Sequence, residues 1–182
     1  MHTIKKIISL IIIYLFIILH TQQVFSYTYS EGKNAYDQKN YAKAFRIWYL
    51  LSLENDSNGK FGMGLLYKNG FDQLDPSCEY ALNNFLSAEK SGINDASYEL
   101  GDIFEVGKLC KKDKNKALSY YEKAAKNNHL ESINRLAESY ENGTLGPKDQ
   151  FKSCNYSDQA ANLGDAIGQY RVAKCYKYKL AG

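Results

Sequence analysis

Small and aromatic residues recur along this chain at a period of about 36 residues. Four segments align without gaps, at 59–67, 96–104, 132–140 and 168–176. Each places a small residue three positions before an aromatic one, a spacing that puts both on one face of a helix. The small residues, 37, 36 and 36 positions apart, are Gly64, Gly101, Ala137 and Ala173. The aromatic residues with the same spacing are Tyr67, Phe104, Tyr140 and Tyr176. The pattern predicts four helices of one type, named here the A helices.

A second phased pattern follows each of the first three segments. It consists of three residues at spacings of four and three, which again share one helical face. The trios are Ala81, Phe85 and Ala88, then Ala117, Tyr121 and Ala124, and in a weaker form Ser153, Ser157 and Ala160. We name the predicted helices that carry them the B helices. Each unit is then an antiparallel pair whose small residues let the backbones approach, and only the next pair covers its open apolar face.

Glycine and proline mark the ends of these helices. Glycines that favour a left-handed cap follow the A helices and two B helices. They are Gly70, Gly107 and Gly143 after the A helices, and Gly92 and Gly164 after the B helices. Asp75 and Pro76 predict the start of the second B helix, as a cap followed by proline in the first turn.

The chain upstream of these units fits the same helix pair with a shorter spacing between its A-helix and B-helix positions. Gly32 precedes Ala44 by twelve residues, and Ala44, Trp48 and Leu51 continue the B-helix trio. We therefore predict an all-α superhelix, or solenoid, of about four and a half helix-turn-helix repeats within residues 27–182. The predicted repeats are 29–56, 57–94, 95–130 and 131–165, followed by a half repeat at 166–182 that caps the array.

The first 26 residues have the features of an export signal. Lys5 and Lys6 precede a mostly apolar run from Ile7 to Leu19, and Ser26 offers a small residue before a cut. The run is shorter than the roughly 20 residues that a spanning helix needs. A cleaved signal is the favoured interpretation, and an anchor formed by residues 7–25 is the alternative.

Charge excludes one class of partner. The first 26 residues hold two of the 23 lysines and arginines and none of the 20 aspartates and glutamates, which leaves 21 basic against 20 acidic residues. Binding to a nucleic-acid backbone needs a clustered excess of positive charge. We expect no nucleic-acid partner.

The third unit resembles a known repeat family. Residues 96–107 read Ala-x-Tyr-x-Leu-Gly-x-x-Phe-x-x-Gly, and Lys112-Asp113, Lys116-Ala117, Tyr120-Tyr121 and Lys123-Ala124-Ala125 follow. This looks like the Sel-one-like repeat, a longer cousin of the tetratricopeptide repeat, and the resemblance extends from Tyr29 to Tyr178. The second unit departs from it with Glu89 in place of an alanine, and the fourth with Ser153 and Ser157. The resemblance implies a superhelical adaptor, often exported in bacteria, with functions that differ between members.

The four cysteines form an even set in a chain expected in an oxidising compartment, which favours disulfides. In an antiparallel pair, two positions face each other when their midpoint falls at the turn. This predicts bonds between Cys78 and Cys110 and between Cys154 and Cys175, each joining a B helix to the next A helix. Four reduced thiols in the core are the alternative. The spacing does not favour a metal site.

Candidate chemistry is sparse in the mature chain. His129 is its one histidine, and its place in a turn favours an exposed or capping role. Two Ser-x-x-Lys matches begin at Ser57 and Ser87, without the companion motifs of acylating serine enzymes. No phosphate-binding glycine loop occurs. We expect no cofactor and no catalytic residue.

The outward positions of the A helices are the predicted partner-binding residues, by analogy with tetratricopeptide superhelices. They are Phe61, Leu65, Lys68, Tyr98, Asp102, Glu105, Asn134, Glu138, Glu141, Tyr170, Lys174 and Lys177. We expect a groove with an acidic centre that holds an extended segment of a partner, with basic residues over the carboxylates and an anchor near Phe61 and Tyr98. A solvated face with incidental charges is the alternative.

The sequence thus favours an exported module, periplasmic or secreted, that binds a protein or peptide. A membrane is expected only through an uncleaved signal segment. One alternative is a weak hydrolase of β-lactam or cell-wall substrates, as for some cysteine-rich relatives. Another is a secreted virulence or competition factor that acts through the same groove.

Overall fold

The computed structural model describes residues 27–72 and 74–180, with only the backbone described for the last three. Its regular structure consists of α-helices in antiparallel pairs. The first two units are α1 (Tyr29–Asp37), α2 (Tyr41–Leu53), α3 (Ser57–Asn69) and α4 (Cys78–Lys90). The next two are α5 (Asn94–Val106), α6 (Lys114–Lys126), α7 (Leu130–Asn142) and α8 (Gln150–Asn162). The final half unit is α9 (Ala166–Leu180). Odd-numbered helices are A helices and even-numbered ones are B helices, so the predicted fold class is confirmed.

The core lies between the paired helices, where the period places it. Every residue of the four B-helix trios is buried. Two of the small A-helix residues, Gly64 and Gly101, lie directly beneath aromatic rings of the B helices. A Cβ atom added to Gly64 would be 2.6 Å from the Phe85 ring, and one added to Gly101 would be 2.6 Å from the Tyr121 ring. Glycine is therefore what allows the two backbones to approach.

The departures from the repeat pattern are accommodated without breaking a helix. In α8, the Ser153 hydroxyl donates to the Ala137 carbonyl at 2.9 Å, and the Ser157 hydroxyl donates to the Ser153 carbonyl at 2.8 Å. These bonds satisfy two buried hydroxyl groups. In α4, the buried Glu89 carboxylate faces the Lys123 ammonium of the next B helix. A charge at an alanine position is thus paired across the unit boundary.

One backbone hydrogen bond recurs in the loop of each long unit. The residue that caps the B helix donates its N–H to the carbonyl of the A-helix aromatic: Asp113 to Phe104 at 2.9 Å and Asp149 to Tyr140 at 2.9 Å. Ser77 makes the same bond to Tyr67 at 2.8 Å. The N-cap of α4 is Ser77, whose hydroxyl accepts the Tyr80 N–H, so the predicted cap at Asp75 is wrong by two residues. The glycine caps of the A helices have positive φ, as expected.

Two disulfides join neighbouring units. Cys78 is bonded to Cys110, with Cα atoms 5.3 Å apart, and Cys154 is bonded to Cys175, with Cα atoms 5.9 Å apart. These are the two pairs that the hairpin midpoints predict. Cys110 lies in the loop just beyond α5, and the other three cysteines are helical. Each bond therefore fixes a B helix to the unit that follows it.

The predicted export signal at residues 1–26 lies outside the described residues. Within the described part of the chain, no helix has the length and apolar character needed to cross a bilayer.

Candidate functional site

The twelve predicted groove residues all lie on the A helices α3, α5, α7 and α9. We call the surface that they and their outward neighbours form the A-helix face. Phe61 contributes little to it, because it is only 7% exposed and packs between Tyr29 and Phe85. Leu65 is half-buried against the core. The polar and charged members extend from Lys68 in α3 to Lys177 in α9.

Ion pairs join α3 to α5, α5 to α7 and α7 to α9 across this face. The first rung links α3 to α5: the Lys68 ammonium lies 2.5 Å from Glu99 Oε2 and also contacts the Asp102 carboxylate. Burial lowers the pKa of Lys68, but the two carboxylates outweigh this effect and raise it above its ordinary value. Lys68 is therefore a fixed cation within the protein.

The second rung links α5 to α7 through a forked ion pair. Arg135 Nε donates to Glu105 Oε2 at 2.8 Å, and its terminal nitrogen contacts the other carboxylate oxygen. The Tyr121 hydroxyl donates to the same Oε2 at 2.9 Å. Burial raises the pKa of Glu105, but the bonds from Arg135 and Tyr121 outweigh it and lower the pKa. Arg135 also donates to Glu138 Oε2 at 2.8 Å.

The third rung links α7 to α9. The Lys174 ammonium donates to Glu141 Oε1 at 2.7 Å, and Arg171 Nε lies 3.8 Å from Glu141 Oε2. Arg171 also donates to the Asn134 side chain at 3.2 Å. Asn134 in turn donates to Asp165 at the start of α9, at 3.1 Å. This end of the face is a closed polar network between two A helices.

The three rungs together, called here the ion-pair ladder, neutralise much of the negative charge that the sequence predicted at the centre of the face. All four carboxylates of the expected acidic centre, at positions 102, 105, 138 and 141, lie against lysine or arginine of the same chain. Several of these partners occupy one repeat position that the predicted groove does not include. The residues at this position, spaced 36 apart, are Glu99, Arg135 and Arg171. Their charges are opposite to those of Lys68, Glu105 and Glu141, respectively, one unit earlier, and this opposition is the sequence signal of the pairing.

A cleft opens beside the first rung. It has a volume of about 520 Å³ and shares Lys68 and Asp102 with the ladder. Its apolar wall consists of Ile103, Val106 and Leu109, and Val106 is 57% exposed. Pro76, Asn69 and Lys108 complete the lining. An apolar side chain with a polar backbone fits this combination of an aliphatic wall and a charged floor.

The Sel1 repeat model matches four consecutive segments of the chain, at 25–56, 57–93, 94–129 and 130–165. The chain belongs to the Sel1 repeat family. Sel1 repeat proteins are helical repeat modules that generally mediate protein–protein interaction. No curated protein matches the chain significantly.

Three solved structures are similar in fold to this chain. The TM-score is 0.71, at 22% identity, with a protective antigen of uropathogenic Escherichia coli that displays an SLR fold. It is 0.62, at 23% identity, with a Sel1 repeat protein of Oxalobacter formigenes, and 0.51, at 20% identity, with cysteine rich protein B of Helicobacter pylori. The matches cover 83%, 74% and 79% of this chain and 33%, 57% and 96% of the three structures. The chain thus spans a third of the first relative and just over half of the second.

One group in this Sel1 repeat protein has the members of a catalytic triad. His129 Nε2 lies 3.1 Å from Asp95 Oδ1, and its Nδ1 lies 3.1 Å from the Ser132 hydroxyl. The arrangement is a helix cap, because Nδ1 accepts the Ser132 backbone N–H at 3.2 Å and His129 is the N-cap of α7. Ser132 is fully buried, so no substrate carbonyl reaches its hydroxyl.

The two Ser-x-x-Lys matches also lack a working geometry. Lys60 donates to the Asn55 side chain, and Ser57 lies in the first turn of α3. Ser87 accepts a bond at its carbonyl from Ser91, while Lys90 is exposed at the end of α4. Neither serine therefore has a lysine bonded to its hydroxyl among the described contacts.

Proposed function

We propose that this Sel1 repeat protein holds an extended segment of a partner protein along its A-helix face. The proposal rests on the repeat architecture, which presents the same outward positions of four successive A helices as one continuous surface. Surfaces of this kind bind chains by repeated small contacts, not by a single deep pocket. The observation that carries the proposal is the cleft beside Lys68 and Asp102, which adjoins this surface.

The ion-pair ladder supports a particular mode of binding. Because its charges are already paired within the chain, a partner gains little from net attraction and gains more from hydrogen bonds to fixed polar groups. Glu138 and Lys174 keep 43% and 41% of their side chains exposed and offer such groups in the middle and at the end of the face. The binding predicted here is therefore less sensitive to salt than the capture of a basic peptide by unpaired carboxylates.

In this proposal the cleft takes the place of the apolar anchor that the sequence predicted near Phe61 and Tyr98. Val106 is the exposed member of its wall, and Leu109 and Ile103 lie behind it. Interfaces concentrate their binding free energy in a few desolvated contacts of this kind. We place an aliphatic or aromatic side chain of the partner in the cleft, with its flanking backbone along α5 and α7.

A charge placed in the cleft tests this model. We expect Val106→Asp to abolish partner capture from extracts of the producing cell, since the carboxylate would be buried against the anchor. Leu53→Asp is a matched control, because Leu53 is 65% exposed and, like Val106, is the last residue of its helix. Both variants are read by affinity capture and quantitative mass spectrometry, after circular dichroism has established that they are folded.

The proposal predicts one set of captured proteins that Val106→Asp loses and Leu53→Asp retains. Equal capture by both variants would show that the cleft is not the anchor. Loss in both would point to a surface other than the A-helix face.

We also place the protein outside the reducing cytoplasm. Two disulfides support this location, since such bonds persist in oxidising compartments. Rapid alkylation of thiols in intact producing cells tests it, with mass spectrometry of the recovered protein. We expect no alkylated cysteine without prior reduction, whereas four alkylated cysteines would place the protein in a reducing compartment.

A further inference from the structure

The segment that joins α5 to the first turn of α6 carries the densest cluster of one charge in the described part of the chain. Five lysines lie within nine residues there, against one aspartate. All five are exposed, and we call them the lysine loop: Lys108, Lys111, Lys112, Lys114 and Lys116. Because the chain beyond residue 26 is close to neutral as a whole, this segment is a local excess of positive charge.

Three of these lysines are additions to the repeat. The lysines at positions 112 and 116 recur in the next unit, 36 residues later. Lys108, Lys111 and Lys114 instead have threonine, proline and glutamine at the corresponding places of that unit. Among the residues that the structure describes, none forms an ion pair or a hydrogen bond with these three ammonium groups. The fold therefore leaves the three added charges unpaired, in contrast to the charges of the ion-pair ladder.

The place of the added charges works against helix stability. Lys114 and Lys116 are the first and third residues of α6, which has no acidic residue in its first turn. The amino end of a helix carries a partial positive charge, so a lysine there is unfavourable. Charges that cost stability and make no contact within the fold are typical of residues that act on a partner.

The lysine loop borders the cleft that receives the partner's apolar side chain in the proposed function. Lys108 lines this cleft together with Val106 and Leu109. Gly107, the residue after Val106, packs against the far end of the loop, because a Cβ atom added to it would be 2.5 Å from the Lys112 Cβ. A side chain held in the cleft therefore has ammonium groups directly beside it.

Two bonds hold the loop in place before any partner arrives. Cys110, in the middle of the loop, is bonded to Cys78 of α4. The Asp113 N–H donates to the Phe104 carbonyl at 2.9 Å, which ties the end of the loop to α5. A loop fixed in this way has little conformational freedom left to lose on binding.

We infer that the partner segment is acidic beside its apolar anchor, with aspartate or glutamate side chains that pair with Lys108, Lys111 and Lys114. This inference rests on the proposed function and adds the sign of the partner's charge. It differs from the basic segment expected from the sequence, because the carboxylates of the face are paired within the chain while these lysines are not. Complementary charge of this kind sets which partners bind and how fast they associate.

A protein segment fits the site better than other anions do. An apolar group that enters a lipid surface must protrude, whereas Ile103 and Leu109 line a concave cleft. A phosphate polymer is bound through its charges and makes no use of an aliphatic wall. Residues 1–26 of the chain contain no aspartate or glutamate, so they lack the charge that the loop requires.

Two labelled peptides test the inference by fluorescence anisotropy on the intact, oxidised protein. One has a central leucine flanked on each side by three glutamates, and the other has lysines in place of the glutamates. We expect the glutamate peptide to bind with a dissociation constant below about 1 mM at low salt. The lysine peptide should bind at least about tenfold more weakly. Raising the salt concentration from about 20 to about 300 mM should weaken binding of the glutamate peptide about tenfold.

Neutralisation of the added lysines locates the effect. Lys108→Gln/Lys111→Gln/Lys114→Gln should weaken binding of the glutamate peptide at least about fivefold and remove most of its salt dependence. The matched control is a triple substitution that removes the same charge from exposed lysines of the B helices, outside the cleft, and it should leave the affinity within about twofold. The control substitutions are Lys43→Gln, Lys90→Gln and Lys126→Gln. The loop variant should melt at or above the temperature of the wild type, because Lys114 opposes the helix dipole.

Affinity capture from the producing cell separates this inference from the proposed function. We expect the loop variant to lose the proteins that Val106→Asp loses. If the loop variant retains them while Val106→Asp loses them, the cleft is the anchor and the acidic partner is wrong. If both variants retain every captured protein, the proposed function fails as well.

Three further results would overturn the inference. One is equal binding of the glutamate and lysine peptides. Another is binding to vesicles of anionic lipid that the loop variant loses, without binding of the glutamate peptide, because the loop would then contact a lipid surface. The third is a dimer in sedimentation that the loop variant dissociates, because a second copy of the chain would then occupy the site.

Discussion

Arg135 forms a forked ion pair with Glu105 of the preceding unit, with Nε 2.8 Å from Oε2, and Tyr121 donates a third bond to the same carboxylate. The Glu105 side chain is only 12% exposed. The pair therefore joins two A helices and anchors the ring that packs on Gly101. One carboxylate links the surface of the array to its core.

Loss of the Glu105 charge should make stability less dependent on pH. We expect Glu105→Gln to lower the free energy of unfolding by about 1 to 2 kcal/mol at pH 7, since a hydrogen-bonded charge is removed from a half-buried network. The pKa of Glu105 is lowered in the folded protein, so this stabilisation is complete above about pH 4.3, the ordinary glutamate value. It disappears as the pH falls through the lower, folded-state pKa.

Urea unfolding between pH 3 and 7 measures this difference. Glu138→Gln is the matched control, because Glu138 also bonds to Arg135 but keeps 43% of its side chain exposed. We expect it to change stability by less than about 0.5 kcal/mol. A gap between wild type and Glu105→Gln that stays constant as the solution is acidified would contradict the assigned role.

Gly101→Ala should destabilise the protein, although alanine favours helices. The added Cβ atom would lie 2.6 Å from a Tyr121 ring that is held at its hydroxyl by Glu105. Overpacking of this kind costs about 1 to 3 kcal/mol, against a propensity gain of about 1 kcal/mol. Gly146→Ala meets nothing within 4 Å and is the control. A rise in the melting temperature of Gly101→Ala would show that the ring moves freely.

Removal of the Cys78–Cys110 bond should cost more than removal of the Cys154–Cys175 bond. The first closes a separation of 32 residues and fixes two central units, whereas the second closes 21 residues at the end of the array. The chain-entropy model gives about 3 to 4 kcal/mol for either loop. We expect Cys78→Ser/Cys110→Ser to unfold at the lower denaturant concentration. The reverse order would mean that the end of the array limits its stability.

His129 should contribute to stability through its cap on α7. We expect His129→Ala to lower the free energy of unfolding by about 1 kcal/mol, because the Ser132 N–H loses its acceptor. His129→Asn keeps an acceptor at the N-cap and should recover most of this loss. Thermal unfolding compares the two. Equal destabilisation by both would instead assign the effect to the contacts of His129 with Asp95 and with the Tyr98 ring, whose centroid is 5.3 Å from that of the imidazole.

The sequence predicts the fold well because the fold repeats. The B-helix trio occurs in four units, so the apolar trios of the first three identify Ser153 and Ser157 as core positions although their side chains are polar. The midpoint rule works for the cysteines because neighbouring helices are antiparallel, so residues at equal distances from the turn face each other. Asp75 and Pro76 mislead because the true cap, Ser77, is fixed by a bond from its N–H to Tyr67, which local propensity does not contain.

The A-helix face is harder to predict because its character depends on contacts between units. Glu105 and Glu141 are outward positions of an isolated helix, yet each faces a basic residue 30 positions later. Phe61 is assigned to the groove by its helical phase, but Tyr29 of the shorter first unit covers it. The cleft beside Val106 is formed by two loops and the ends of two helices, which a helical period does not describe.

Site-specific photo-crosslinking in the producing cell tests the central claim most directly. A benzophenone side chain replaces exposed Val106 or Tyr170 on the A-helix face, or exposed Leu53 or Ser119 on the B helices α2 and α6. We predict that the two A-helix positions crosslink to the same partner protein and that the two B-helix positions do not. Crosslinks to that partner from Leu53 and Ser119, and none from Val106 and Tyr170, would contradict binding along the A-helix face.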